Sequence, residues 1–278
     1  MSGPWIAGLS GFTRYSGNDA DPGAGVTMHG LVGGYDAAIG TRVTVGISGA
    51  DASPVVRLDD APDQTQSRAL HLGIYGRYNH NRSRVALIAG GGGRANTTTR
   101  RVVDGGSVAE VNADYRDRSA FAQVVYGHSF AIGQKIDLEP ELGWQSSLGR
   151  VSSFDEAGAG VLSLIAPVRH IRSHRSIAGG RVSKTIERLT GARTMFEARA
   201  AWAHEFSPIE GMAVRFAGDT ATGGFVIASP DRVGDSALLG TRITGQALTH
   251  FTFFGTADGE MSGSTTRWTI GAGVRATW

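Results

Sequence analysis

Several short motifs in this sequence carry residue types that could do chemistry. Gly234-Asp235-Ser236 places a hydroxyl where a hydrolase nucleophile can stand. That chemistry needs the serine on a strand-to-helix turn, with an Asp-x-x-His further along to supply the base. The only histidine after Ser236 is His250, and position 247 is alanine, so the tripeptide reads as a turn before a strand. His204-Glu205 begins like the helical pair of a zinc protease, but Pro208 stands where the second histidine belongs. His170 and His174 would share a metal on a helix, whereas on a strand four residues separate them by about 13 Å. Gly90 to Gly93 is not followed by the Lys-Ser/Thr of a phosphate loop. There is no cysteine, which removes disulfides, thiolate metal sites and thiol nucleophiles together. The sequence therefore gives no catalytic residue, no metal site and no cofactor.

The charged residues become interpretable once the elements that carry them are drawn. In Lys135–Gln145, Ile136, Leu138, Pro140, Leu142 and Trp144 fall on one face of a strand, and Lys135, Asp137, Glu139, Glu141 and Gln145 on the other. If the apolar face meets lipid, a slip of one residue puts three carboxylates and a lysine into it. A mid-bilayer lysine alone costs about 2–4 kcal/mol, so the frame is fixed. Leu70, Leu72, Ile74 and Tyr78 alternate with His71, Tyr75 and Arg77; Phe196, Ala198, Ala200 and Trp202 alternate with Glu197 and Arg199. Segments of about ten residues alternating in this way, separated by turns, are the signature of a membrane-spanning β-barrel.

Strands are expected near 5–15, 25–35, 41–51, 67–79, 83–95, 114–130, 134–147, 169–185, 192–206, 211–218, 235–256 and 264–278. The fold class is thus all-β: a transmembrane antiparallel up-and-down barrel of about twelve strands, with residues 1–278 as one domain. Short turns near 36–40, 79–83, 131–133 and 187–191 alternate with long loops near 52–66, 95–113 and 148–168. The alternation weakens after residue 206, where a short and a long connection fall in the wrong places. Glu139, Glu141, Glu197, Arg199, Arg267 and Arg275 are expected to face the lumen and pair there. Trp5, Trp144, Trp202 and Trp268 are expected to form an aromatic belt at headgroup level.

Composition agrees. The chain has 41 glycines, 19% charged residues and 41% hydrophobic residues, too apolar for disorder. A net charge of +2 with only two lysines, and no basic arm, argues against nucleic acid as a partner. No run approaches the roughly 18 apolar residues of a membrane helix. Met1-Ser-Gly-Pro-Trp5 has neither the basic nor the apolar region of a signal peptide. An exported barrel needs such a signal, so the expectation is a piece of a longer protein.

In the closing segment, Trp268, Ile270, Ala272, Val274, Ala276 and Trp278 share one face; Arg267, Thr269, Gly271, Gly273, Arg275 and Thr277 share the other. A terminal aromatic after alternating apolar residues resembles the sorting signal that the barrel assembly machinery reads, with Trp278, Val274 and Ile270 as its positions. Leu138-Glu-Pro-Glu-Leu-Gly-Trp144, Phe154-Asp-Glu-Ala-Gly158 followed by Ser176-Ile-Ala-Gly-Gly-Arg-Val182, Ala201-Trp-Ala-His-Glu-Phe206 and Gly271-Ala-Gly-Val-Arg-Ala-Thr-Trp278 together resemble the autotransporter β-domain of type V secretion. The order and spacing of these blocks match that family over essentially the whole chain. The resemblance implies a monomeric barrel in the bacterial outer membrane that anchors an N-terminal passenger and exports it to the cell surface. It also implies a barrel without catalysis of its own, whose lumen holds the linker to the passenger. Some members cut that linker with acidic residues inside the barrel. A pore or porin, or an outer-membrane barrel enzyme, is the alternative.

Overall fold

A computed structural model describes residues 2–17, 22–59, 61–133, 135–187, 193–207, 211–219, 224–227, 234–248 and 250–277. Twelve strands form one wall: β1 (Gly3–Tyr15), β2 (Ala24–Ile39), β3 (Val43–Leu58), β4 (Gln64–His80), β5 (Ser83–Asp104), β6 (Ser107–His128, continued by Phe130–Ala131), β7 (Ile136–Val151), β8 (Arg169–Glu187), β9 (Arg193–Glu205), β10 (Asp235–Leu248), β11 (Phe251–Ser262) and β12 (Thr265–Ala276). Each pairs antiparallel with its neighbour in sequence. The sheet closes where β1 meets β12, with Trp5 opposite Arg275 and Tyr15 opposite Thr265. Closure leaves the wall no free edge, the condition for crossing a bilayer with strands.

The distribution of side chains is inverted relative to a soluble domain. Leu72 is 74% exposed and Leu142 64%, whereas Glu141 is 4% and Asp36 2% exposed. Large aliphatics on the outside over buried charges are what lipid, not water, selects as an outer solvent. Phe196 and Phe206 are both exposed on the outward face of one chain segment. At about 3.4 Å per residue and a tilt near 40°, they stand about 26 Å apart along the barrel axis, the height of an apolar band.

The connections explain the irregular ending. At one end of the barrel few residues separate the described strands: 40–42, 81–82, 132–135, 188–192 and 249–250. At the other end the strands overhang, and two connections are long: 152–168 and 206–234. The expected wall strand at 211–218 is not in the wall. Met212–Phe216 instead sits in a separate four-stranded sheet, between Phe225–Ile227 and Leu164–Ala166, with Phe154–Asp155 at its edge. The expected single strand at 235–256 is two, β10 and β11. The two errors cancel in the count. With 206–234 as one connection, the short ones at the first end are five residues or fewer, whereas the overhanging end mixes long connections with two-residue turns at 105–106 and 263–264. The expected loops at 52–66 and 95–113 are mostly strand: β3 runs to Leu58 and β4 starts at Gln64. β5 and β6, 22 residues each, pair out to a turn at Gly105-Gly106, beyond where a bilayer would dictate their pattern.

The small sheet has its own apolar cluster, Leu164, Ala166 and Val214 with Phe154 and Met212 packed on it. It leans on the inward face of the overhanging hairpin. Asn112 and Ala157 exchange two backbone hydrogen bonds of 2.9 Å, the Tyr115 and Phe154 rings stack 5.0 Å apart, and Val111 and Ala113 are buried beneath. The Arg100 guanidinium grips Glu156 through Nε (3.1 Å) and Nη2 (2.6 Å). Glu156 Oε2 also accepts the Leu164 N–H at 2.7 Å. The Glu156 hydrogen bond holds the Arg100 pKa above its ordinary value, so the clamp joining loop to wall stays charged.

Candidate functional site: the charged lumen

The inward face of β5, β7, β8 and β9 carries a connected set of ion pairs. Arg84 donates to Glu139 Oε1 through Nε (2.9 Å) and Nη2 (2.7 Å), and through Nη2 to Glu141 Oε1 at 2.6 Å. Arg181 donates to Glu139 Oε1 at 2.8 Å and to Glu197 Oε1 at 3.1 Å. Arg199 Nε donates to Glu141 Oε2 at 2.8 Å. Three carboxylates thus meet three guanidinium groups. The contact from β5 to β7 passes over β6, and Gly127 makes the crossing possible: a Cβ there would collide with the Glu139 carboxylate.

A second group bridges β12, β1, β2 and β4. Arg275 Nη2 lies 2.5 Å from Asp36 Oδ2. Tyr75 donates its hydroxyl to Asp36, and Trp5 Nε1 donates to Tyr75 Oη at 2.8 Å. This corrects the expected belt. Trp5 faces the lumen and reaches across β2, with Gly34 beneath its ring, while Tyr75 reaches across β3 over Gly46 to meet it. The outward residue is its neighbour Ile6, 53% exposed. Both faces of β1 carry large apolar side chains, so hydropathy alone could not set its frame. A third group joins β8 to β11: Arg175 donates to Glu260 Oε1 (2.5 Å) and to Gln145 Oε1 (2.5 Å through Nη2), and Arg267 approaches Glu260 at 3.5 Å.

Glu139, Glu141, Glu197 and Arg199 therefore come together in one network, whereas Arg267 and Arg275 belong to two others. Trp144, Trp202 and Trp268 are exposed on the outward face, as are Ile270 and its strand neighbours. Val274 lies opposite the outward Ile6. Trp278 lies outside the described residues. His204 pairs with Asp235 at 2.8 Å on the outer rim beside Trp202, and among the described residues no three metal-capable side chains gather. Sequence reasoning missed Asp36, Arg84, Arg175, Arg181 and Glu260. The available signal was parity, since each falls on the face opposite the exposed apolar positions of its strand.

A closed twelve-strand wall, apolar outside and lined inside by paired charges, defines a membrane barrel. The family model for the autotransporter beta-domain matches residues 4–258, and the chain belongs to that family. Solved structures agree in fold. The translocator domain of NalP from Neisseria meningitidis superposes with a TM-score of 0.80 at 11% identity, over 99% of this chain and 88% of that one. The β domain of the Bordetella autotransporter BrkA gives 0.69 at 18% identity, over 100% and 99%. The transport unit of AIDA-I from Escherichia coli gives 0.60 at 14%, over 99% and 90%. Comparison with curated protein sequences yields no match. Family and fold both point to the bacterial outer membrane.

Proposed function

We propose that this barrel anchors an N-terminal passenger in the outer membrane and exports it to the cell surface, with no chemistry of its own. The observation that carries this reading is the state of the lumen charges. Arg84, Arg181 and Arg199 are spent on Glu139, Glu141 and Glu197 along the wall itself. A lining most of whose charges are neutralised in place, with Arg77 an exception among the described residues, offers a polypeptide a wetted surface with few strong fixed binding sites. The barrel assembly machinery and the protein's own linker are its partners, and the barrel works as a monomer. Trp278, Val274 and Ile270 form the assembly signal, with Trp144, Trp202 and Trp268 at the headgroups.

The test is display. A reporter passenger with a linker, fused ahead of residue 1, is expected to become accessible to protease added to intact cells. Trp278→Ser is expected to lower the amount of assembled barrel far more than Arg267→Gln does. A reporter retained inside cells that carry a correctly assembled barrel would overturn export. Sugar flux through the reconstituted barrel at porin rates would replace it with a pore.

A further inference from the structure

On the outer surface, at the overhanging end, the described arginines behave in two ways. On β1 and β4 they are matched: Arg14 pairs with Asp59, and Arg68 with Asp51 at 2.9 Å; Arg57 on β3 stands singly among the described residues, flanked by Gly25 and Gln64 in its two ladders. On β6, β7 and β8 they are not. Arg118 stands directly opposite Arg150 in the β6–β7 ladder. Arg150 stands opposite His170, and Arg172 opposite Leu148, in the β7–β8 ladder. Arg116 is two residues from Arg118, and its backbone N–H donates to Ser152 Oγ at 3.0 Å. All four guanidinium-bearing residues are exposed on the outward face, and among the described residues none has a carboxylate partner. The acid two residues before Arg116 on the same face, Asp114, accepts a hydrogen bond from Thr97 Oγ1 at 2.6 Å. Ala95, Thr97, Asp114, Arg116, Arg118 and Arg150 line a hollow of about 590 Å³.

Like charges directly opposed on one sheet face are destabilising, with side chains about 5 Å apart and diagonal neighbours about 7–8 Å. The patch also has a defined height. The outward residues Phe130 and Leu138 oppose each other near the short-turn end, and Arg118 and Arg150 each lie twelve residues further along the wall. At about 3.4 Å per residue and 40° of tilt, that is about 30 Å along the axis, one hydrocarbon thickness. The arginines therefore surface where headgroups begin. Guanidinium forks match phosphate oxygens bidentately, and a cluster of them favours a group bearing more than one phosphate.

We propose that Arg116, Arg118, Arg150 and Arg172 form a docking surface for the phosphorylated headgroup of a lipid in the leaflet at the overhanging end. The inference rests on the reading of this wall as embedded in a membrane. The test uses the full 278-residue chain refolded into phosphatidylcholine vesicles, with or without lipid A, and follows thermal unfolding by the loss of heat-resistant gel mobility. Lipid A is expected to raise the midpoint for the natural sequence. Arg118→Gln/Arg150→Gln is expected to weaken the apparent affinity about ten-fold or more, because charge-assisted contacts are lost. Arg172→Gln alone, which leaves the β6–β7 pair intact, is expected to fall between the two. An equal midpoint rise in all three proteins would overturn the proposal. So would inorganic phosphate reproducing the effect, which would mark a free-anion site. A chain that never enters pure phosphatidylcholine would overturn the membrane reading, and the patch with it.

Discussion

Glu141 is the most committed of the lumen residues: its carboxylate, 3% exposed, receives Arg84 and Arg199 on separate oxygens. Glu141→Gln keeps the shape and removes the charge, leaving two guanidinium groups short of an acceptor. The expected cost is about 3 kcal/mol, read from urea titration of the barrel in lipid. Glu187→Gln breaks a pair with Lys135 that is about half exposed on both sides, and is expected to cost about 0.5 kcal/mol or less. The tryptophans divide differently. In variants retaining one indole each, Trp144, Trp202 and Trp268 are expected to be quenched by brominated lipid, and Trp5 by a water-soluble quencher reaching the lumen. Only that last assignment contradicts a reading of the sequence. Glu139, Glu141, Glu197 and Arg199 were legible because β7 and β9 alternate cleanly. Arg181 was not, because the apolar Ile177 shares its face of β8 and Gly179 and Gly180 blank the alternation between them. Which carboxylate meets which guanidinium depends on the register between strands, and that is invisible along a single one.

At the level of elements, the alternation that fixes each frame also sets what a strand tolerates. Leu72 lies mid-way along the outward row of β4, between Leu70 and Ile74. Leu72→Arg is expected to lower folding stability in lipid by about 2–4 kcal/mol, while the same change at Ala69, on the inward face, costs less; equilibrium unfolding from vesicles measures both. The clamp at Glu156 governs a different property. Glu156→Gln removes the ionic half of the contact that holds 152–168 against the overhanging hairpin. It is expected to raise the ion conductance of the reconstituted barrel and its noise, with little change in stability. Strand identity was read correctly where lipid imposes a clean two-residue period, although the short turn between β10 and β11 was passed over. Beyond the bilayer that constraint ends. This is why the hairpin to Gly105-Gly106 read as a loop, and why Met212–Phe216, apolar because it packs on Leu164, read as wall.

For the whole molecule, an exposed apolar band wrapped around paired charges predicts a protein that is monodisperse only in detergent or lipid. Its migration should shift on heating, and its β-sheet circular dichroism should persist in micelles; a monodisperse protein in plain buffer would contradict the architecture. Closure carries a kinetic consequence as well. Eleven of the strand pairings join neighbours in sequence, and each can form from a local hairpin. The twelfth joins Trp5 to Arg275, across nearly the entire length of the chain. Loop entropy makes such a contact late, and everything formed before it is an open ribbon with two unsatisfied edges. Until Thr265–Ala276 swings round to meet Gly3–Tyr15, the molecule is a sheet in search of a strand, able to accept one from another chain as readily as from itself. The clasp between first and last strands is therefore the step at which a solitary barrel and an aggregate part ways.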